Sequence, residues 1–317
     1  MSIDQAIKWA FIGLIGLVDL LLLMICPLEL QWSDLLAPSL CAVFLVVMSL
    51  YYHHRGGESL VLCMVTLLQM GSYTTVVSVL IYAVTSLNFP MADPLLQRFD
   101  TLVGFSPQAV VAWTRSIPII NHCSVWVYLF IVPETMLTIL AISFLNRRVL
   151  IEQFMSQFMI GTAICAVTGC FLPAAGPAFN HGIAPADWQQ PYIEHFLALR
   201  SGETFLFSWR GTEGLVTFPS FHTAWAIMLM LVWRQQTRLL SVPIGILSVM
   251  IILSTLTTAS HYIVDIIGGI GLAGICAWAS HRVTEFSYHP NGQPRRLAVP
   301  FLQELRLTSG LTRPSNQ

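Results

Sequence analysis

Two short stretches of this sequence place a histidine where it could take part in chemistry. They are TFPSFH at positions 217–222 and HYIVD at positions 261–265, and each opens a hydrophobic segment long enough for a helix. Unpaired backbone N–H groups and the helix dipole make the N-terminus of a helix favourable for an anion. Pro219 suits the first position of a helix because no N–H is needed there, which leaves the amides of residues 220–222 free. The pattern therefore predicts a phosphate-binding turn.

The second stretch pairs a histidine with a carboxylate. His261 and Asp265 are four residues apart, so in a helix their side chains would share one face. The Asp265 carboxylate can then accept the N–H of one ring nitrogen and leave the other nitrogen unprotonated and aimed at a substrate. Ionisable residues in apolar segments indicate function because burying them is costly. A purely structural polar pair is the alternative, as is a structural role for His222 taken alone.

The composition is that of an integral membrane protein. Of the 317 residues, 55% are hydrophobic and only 10% are charged, whereas a soluble domain has about 25% charged residues. The hydrophobic runs are continuous rather than alternating, so they predict transmembrane helices and not a β-barrel. We expect an all-α polytopic protein with about eight transmembrane helices, at 9–26, 36–52, 59–84, 122–145, 154–172, 219–233, 239–258 and 261–280.

The basic residues set the expected orientation in the membrane. With the N-terminus in the cytoplasm, eleven of the 15 lysines and arginines lie on the cytoplasmic side, and the four outside are Arg98, Arg115, Arg200 and Arg210. We therefore expect both termini in the cytoplasm and both histidines at the non-cytoplasmic face. A bacterial inner membrane is the expected location.

The predicted spans divide the chain into three parts. Residues 1–58 hold two N-terminal transmembrane helices, and residues 59–282 form a six-helix core that carries the histidines. Two long non-cytoplasmic loops, 85–121 and 173–216, interrupt this core, and we expect one interfacial helix in the first of them. Residues 283–317 are expected to form a cytoplasmic tail.

The stretches FPSFH and HYIVD together resemble the two motifs of the type 2 phosphatidate phosphatase superfamily. HYIVD begins 39 residues after the histidine of FPSFH. The resemblance is closest to the inositol phosphorylceramide synthase-like branch and covers roughly residues 120–282. It implies a core of six helices and an enzyme that handles lipid phosphates. The two motifs together are specific to the superfamily.

The resemblance also implies a role for each motif residue. His261 would be the nucleophile that takes the phosphoryl group, and Asp265 would orient it. His222 would be the acid that protonates the leaving oxygen. Ser220 and the amide of Phe221 would bind phosphate oxygens.

Three phosphate-binding cations of the family pattern are absent from this sequence. Cys165 and Leu172 stand where the first motif has a lysine and an arginine, and Thr255 stands where the third motif has an arginine. The synthase-like branch also tends to lack the third-motif arginine, so the departure favours a phosphotransferase over a simple phosphatase. Negative charge on the transferred group must still be stabilised. Arg200 and then Arg210, in the second long loop, are the candidates, with an ordinary headgroup-level role as the alternative for each.

The resemblance implies a metal-independent lipid phosphatase or phosphotransferase that works through a phosphohistidine. Its substrate would be a phospholipid or lipid phosphate, and its acceptor would be water or the hydroxyl of a second lipid. We expect no cofactor and no metal ion, because the candidate ligands lack the spacings of a zinc or magnesium site. The net charge of −1 argues against a nucleic-acid partner. A lipid transporter or flippase without catalysis and a catalytically inactive scaffold stay open as alternatives, as does the oligomeric state.

Overall fold

The computed structural model describes residues 2–289 and 293–295. Within these residues the regular secondary structure is helical apart from one pair of three-residue strands and one isolated bridge. The helices are α1 (Ile3–Leu22), α2 (Leu36–His54), α3 (Glu58–Ser86), α4 (Asp93–Leu102), α5 (Pro107–Ser116), α6 (Pro118–Leu129), α7 (Ile131–Phe144), α8 (Arg148–Phe171), α9 (Pro177–Asn180), α10 (Gln190–Leu199), α11 (Phe221–Trp233), α12 (Arg238–Thr257) and α13 (Ile263–Ser287), and the strands are β1 (Leu28–Leu30) and β2 (Phe205–Phe207).

The long helices confirm the prediction of an all-α polytopic membrane protein. In the described part of the chain, six are long and apolar enough to cross a membrane: α1, Trp32–His54, α3, α8, α12 and α13. The pair α6 and α7, bent by 46°, adds a seventh if it counts as one span. The predicted sixth span, 219–233, is the 13-residue helix α11. At 1.5 Å per residue α11 is about 20 Å long, shorter than the roughly 30 Å hydrocarbon core.

Helix α8 lies at the centre of the bundle. It packs against α3, α11 and α13, and its residues Ile151, Phe154 and Ala166 are fully buried. The Tyr73 hydroxyl of α3 donates to the Met159 carbonyl of α8 at 2.7 Å. Helix α2, by contrast, has no buried residue. The core that positions the two histidine motifs is therefore built around α8.

The loop 85–121 holds more structure than the one interfacial helix predicted for it. It contains both α4 and α5, and α6 already begins at Pro118. The break between α4 and α5 follows from local capping, because Ser106 Oγ accepts the Ala109 N–H at 3.2 Å and Pro107 occupies the first helical position.

The two described ends of the chain meet at one end of the bundle. Helix α13 continues to Ser287, beyond the predicted end at 280, and Tyr288 then forms a bridge with Pro294. The Ile3 N–H donates to the Arg295 carbonyl at 2.9 Å. The rest of the predicted tail, 290–292 and 296–317, lies outside the described residues.

The described part of the N-terminal segment, 2–58, contacts the core through α1 and through β1. Helix α1 packs against α3 and α13. Strand β1 pairs in parallel with β2, with Leu28 opposite Phe205, which ties the α1–α2 connection to the second long loop. The division of the chain at positions 58 and 282 stays a prediction.

Candidate active site

The two histidine motifs meet at one end of the bundle. His222 lies in the first turn of α11, His261 lies two residues before α13, and the centroids of their rings are 6.0 Å apart. The Ser220 N–H donates to the backbone carbonyl of Asp265 at 3.0 Å and joins the two turns. Gly269 permits this close approach, since a Cβ there would lie 2.5 Å from the Ser220 carbonyl oxygen.

The tautomer of His261 is set by a backbone carbonyl. Its Nδ1 lies 2.9 Å from the Thr217 carbonyl oxygen and 3.4 Å from Asp265 Oδ2. A carbonyl oxygen can only accept, so Nδ1 carries the proton and Nε2 is left unprotonated. The predicted sharing of one helical face does not apply, because His261 precedes α13. Asp265 Oδ2 instead accepts the Tyr262 N–H at 2.7 Å, and Thr217 is the nearer partner of the imidazole.

The surroundings of His261 keep its imidazole neutral. The side chain is buried, at 4% exposure. Burial lowers the pKa of His261 to about 4, while the hydrogen bond to the Thr217 carbonyl acts in the opposite direction. At neutral pH the ring is therefore uncharged, and the neutral ring is the form that can attack phosphorus.

The ring of His222 is held by an aromatic stack. It lies on the Tyr128 ring with the centroids 4.2 Å apart and the planes 23° apart. Tyr128 in turn contacts the Trp188 ring, with the centroids 5.0 Å apart. Helix α6 and the second long loop therefore fix the plane of the imidazole.

Both histidines line one cavity of about 390 Å³. Its other polar side chains are Tyr128, Trp188, Gln189, Tyr192, Thr212, Glu213, Thr217 and Ser260, and the rest of the lining is apolar. None of the lining residues is a lysine or an arginine, and Glu213 is the one carboxylate among them. Burial raises the pKa of Glu213. The described residues also contain no group of three or more His, Cys, Asp or Glu side chains that could hold a metal ion.

The match to a known family agrees with this geometry. A family model of the PAP2 superfamily covers residues 94–279, which is more than half of the chain. The chain belongs to the PAP2 superfamily. This confirms the superfamily inferred from the two motifs, and it supports a function of the lipid phosphatase or phosphotransferase type. No curated protein and no solved structure matches the chain.

In this PAP2 chain the two predicted phosphate-binding residues of α11 differ in their surroundings. Ser220 Oγ caps the helix by accepting the Thr223 N–H at 3.3 Å, and Ser220 is fully buried. The Phe221 ring packs against Trp225. The amides of Phe221 and His222 make no backbone hydrogen bond to any described residue, as expected in the first turn of a helix. Phosphate binding by Ser220 and by the Phe221 amide stays a prediction.

The structure does not bring Arg200 or Arg210 to the cavity. Arg200 donates through Nη2 to the Phe89 carbonyl at 2.7 Å. Arg210 is 78% exposed and pairs with Asp34 at 3.3 Å. Neither side chain belongs to the cavity lining, so their predicted contact with phosphate has no support from these positions and stays to be tested.

The positions that hold cations in the PAP2 pattern are occupied by side chains with partners inside the protein. Cys165 Sγ lies 3.7 Å from the Pro219 carbonyl oxygen. Thr255 Oγ1 donates to the Ile252 carbonyl at 2.7 Å. Leu172 packs beside a small apolar cluster that includes Tyr262. These substitutions leave the site without the charges that the family pattern would supply.

Two aspartates that sequence reasoning missed support the site from α4. Asp93 accepts the N–H groups of Ala175 and Gly176, each at 2.9 Å, and the Tyr262 hydroxyl at 2.9 Å. Asp100 Oδ1 accepts the Ile263 N–H at 2.9 Å, at the start of α13.

Together these bonds connect α4 to the residues beside His261. Gly176 has a φ of +88°, a value that favours glycine, and this lets the 173–177 turn approach Asp93. Burial raises the pKa of Asp93, while its hydrogen bonds act in the opposite direction. The sequence contained one signal for the pair, because Asp93 and Asp100 are seven residues apart and so share one face of a helix.

Proposed function

We propose that this PAP2 protein is a metal-independent lipid phosphotransferase that moves a phospho-headgroup from a phosphodiester lipid to a lipid alcohol through a phosphohistidine. The observation that carries the proposal is the tautomer of His261. Its Nδ1 donates to the Thr217 carbonyl, which leaves Nε2 with a free lone pair beside a cavity that also contains His222. This is the arrangement of a nucleophile with a nearby proton donor.

The reaction has two steps. In the first, the anionic phosphate raises the pKa of His222, which burial otherwise lowers to about 3, so that the ring takes up a proton. Nε2 of His261 then attacks phosphorus, the bond between phosphorus and the leaving oxygen breaks, and protonated His222 gives its proton to that oxygen. In the second, the acceptor hydroxyl attacks phosphorus, the N–P bond breaks, and the hydroxyl proton passes to His222. Water in place of the lipid alcohol would make the same cycle a hydrolysis.

The charge of the cavity favours a diester over a monoester. A phosphodiester carries one negative charge, whereas a phosphomonoester carries close to two at neutral pH. The lining has no lysine or arginine to balance a second charge, and it contains Glu213. The amides of Phe221 and His222, at the positive end of the α11 dipole, are the donors that we assign to the phosphate oxygens.

The direct test compares two reactions of the purified full chain. One sample receives a phosphodiester lipid with diacylglycerol or ceramide as the acceptor, and the other receives phosphatidic acid alone. We expect headgroup transfer in the first sample to be faster than phosphate release in the second. Faster phosphate release would make the protein a phosphatase. Absence of both reactions in a folded preparation would favour the transporter or inactive-scaffold alternatives.

We also propose that the histidine end faces the non-cytoplasmic side, because the basic residues are concentrated at the other end. In a variant with Cys41 and Cys123 replaced by serine, a membrane-impermeant thiol reagent should label a cysteine introduced at exposed Ala184 in sealed cells. It should not label one at exposed His54. Labelling of the His54 position alone would reverse the orientation.

A further inference from the structure

A second cavity, of about 780 Å³, lies at the end of the bundle opposite to the histidines. It is formed by the first turns of α8, the last turn of α11 and the residues that follow it, the later turns of α13, and Tyr288. Helix α11 begins beside His222 and its last turn lines this cavity, so its 13 residues place the two cavities about 20 Å apart. The proposed transferase mechanism does not involve it.

The lining of this cavity is strongly basic. It includes Arg147, Arg148 and Arg234 and contains no aspartate or glutamate. Arg148 Nε pairs with Glu152 at 3.0 Å. Among the described residues, Arg147 and Arg234 have no ion-pair partner. Two guanidinium groups are thus left without a counter-charge beside the same space.

Neutral polar groups without hydrogen-bond partners lie in the lining beside the guanidinium groups. Helix α8 begins here, its N-cap residue Arg147 provides no side-chain cap, and the Val149 amide makes no backbone hydrogen bond to a described residue. The Nε2 donor of Gln236 and the Oε1 acceptor of Gln157, which is 6% exposed, also have no partner in the described part of the chain. A ligand with several acceptor oxygens and a hydroxyl would satisfy both kinds of group.

The usual excess of basic residues at the cytoplasmic face does not by itself explain this arrangement. A cation at the end of α11 is favoured by the helix dipole, but that accounts for Arg234 alone. Arg147 and Arg148 instead lie at the start of α8, where the dipole is unfavourable for cations. An anion bound between these side chains and the free amides would offset that cost.

We propose that this cavity binds a phosphate-bearing anion, either the headgroup of an anionic phospholipid in the adjacent leaflet or a free phosphate. The planar guanidinium group matches phosphate oxygens in pairs. Basic pockets between transmembrane helices are also a known kind of site for anionic headgroups. The ligand would join α8, α11 and α13 at the end opposite to the reaction.

The test uses the full chain in detergent and three probes. These are short-chain phosphatidylglycerol, short-chain phosphatidylcholine and inorganic phosphate, and binding is followed by the shift in apparent melting temperature. The variants are Arg147→Gln, Arg234→Gln and the double variant. Arg238→Gln is the matched control, because Arg238 is exposed at the start of α12 near the same end and does not line the cavity. A cooperative melting transition without any probe is measured for every variant to show that each one is folded.

We expect phosphatidylglycerol to bind the wild type more tightly than phosphatidylcholine does. Each cavity substitution should weaken that binding about fivefold, while Arg238→Gln should leave it unchanged. Binding of inorganic phosphate with the same dependence on the two arginines would identify a free phosphate as sufficient, and its absence would identify the lipid headgroup. Equal binding by the wild type and the double variant would overturn the proposal, and so would an equal loss in Arg238→Gln.

Discussion

At the histidine end of the bundle the cavity is lined by two histidines and Glu213 with no lysine or arginine, whereas the cavity at the other end has three arginines and no carboxylate. Because the superfamily acts on phosphate groups, arginines would be expected in the cavity that contains the histidines. They line the cavity at the other end instead. Of these two cavities, the one lined by arginines lies at the end that does not hold the candidate nucleophile.

If the histidine end carries out the proposed transfer, it has to stabilise negative charge without a lysine or arginine in its cavity lining. Backbone amides at the start of α11 carry only partial charges, which suits a singly charged diester better than a doubly charged monoester. The carboxylates around the site act mainly as acceptors for backbone N–H groups, as Asp93 and Asp265 do. The candidate nucleophile and the arginine-lined cavity thus lie at opposite ends of α11.

The largest effect is expected at the two histidines. His261→Ala should abolish turnover of every substrate, because it removes the atom that bonds to phosphorus. His222→Ala should lower the rate by roughly 10²- to 10⁴-fold with a basic leaving oxygen and much less with a good leaving group. The measurement is turnover of two lipid substrates that differ in leaving group, with acid-sensitive, base-stable labelling of the protein as the mark of a phosphohistidine.

With a good leaving group, His222→Ala should also accumulate the labelled intermediate. The control is Arg238→Gln at the opposite end, which should keep the wild-type rate. Turnover by His261→Ala at the wild-type rate would end the phosphohistidine mechanism and would remove the contrast between the two ends.

A smaller effect is expected at Asp93, which positions the site without touching the substrate. Asp93→Ala leaves the buried N–H groups of Ala175 and Gly176 unpaired and releases the Tyr262 hydroxyl. Each orphaned group costs about 1–3 kcal/mol, and a displacement of about 1 Å at a reacting group can cost about 10²-fold in rate. We expect kcat to fall by roughly 10- to 100-fold with KM nearly unchanged, and the apparent Tm to fall.

Tyr262→Phe is the matched variant for Asp93, because it removes one of the three hydrogen bonds and leaves both N–H groups paired. Its effect on kcat should be several-fold smaller. If Asp93→Ala lowers the apparent Tm but the remaining folded protein keeps the wild-type kcat, Asp93 only stabilises the fold and the positioning role is lost.

The two arginines of the second long loop test the charge argument directly. If Arg200 bonded to the phosphoryl group, Arg200→Ala would cost about 10²- to 10³-fold, as the loss of an oxyanion donor does. Its bond to the Phe89 carbonyl leads us to expect a loss of less than about fivefold, the scale of a single exposed polar contact. Arg210→Ala should also cost less than about fivefold, since Arg210 is 78% exposed and its buried partner Asp34 keeps the hydrogen bond from Ser208 Oγ. Turnover and apparent Tm are measured for both variants and for Arg200→Lys.

A large loss in turnover for Arg200→Ala, with partial recovery in Arg200→Lys, would show that the second long loop carries the missing cation. The cavity would then not work on amides alone. Both ends of the bundle would then use a cation, and the contrast in charge between them would be lost.

Sequence reasoning found the residues whose signal is local. His222 and His261 each stand beside a helix start, and the two motifs are enough to name the superfamily. The partner of His261 was assigned to Asp265 because i and i+4 share a face in a helix, whereas the structure starts α13 after His261 and makes the Thr217 carbonyl the nearer partner. A backbone carbonyl has no signature in a sequence.

Two further differences have the same kind of cause. Asp93 and Asp100 become relevant only when α4 folds back onto the start of α13, which no local pattern reports. Helix α11 was predicted as a full span because hydropathy alone does not separate a spanning helix from a short buried one. A run of 10–14 apolar residues more often forms a buried helix, and the 13 residues of α11 fit that class.

The smallest effect concerns Asp100 and the dependence of stability on pH. Asp100 is 1% exposed, and its Oδ2 has no partner among the described residues. Burial raises the pKa of Asp100 to about 6. The hydrogen bond from the Ile263 N–H lowers this pKa, and the nearby Asp265 raises it further. In the unfolded chain an aspartate has a pKa of about 3.9, so between about pH 4 and pH 6 the folded state holds a proton that the unfolded state releases. The stability contributed by this protonated carboxyl is therefore complete below about pH 4 and is lost as the pH rises through about 6.

Asp100→Asn keeps an acceptor for the Ile263 N–H and cannot ionise, so its apparent Tm relative to wild type should rise between about pH 4 and pH 6 and then level off. Asp100→Ala, which also loses the bond to Ile263, should show the same pH trend from a lower starting Tm. Parallel curves for wild type and Asp100→Asn between pH 4.5 and 7.5 would mean that the carboxyl is ionised throughout, and the histidine end would then hold one more negative charge than the comparison assigns to it.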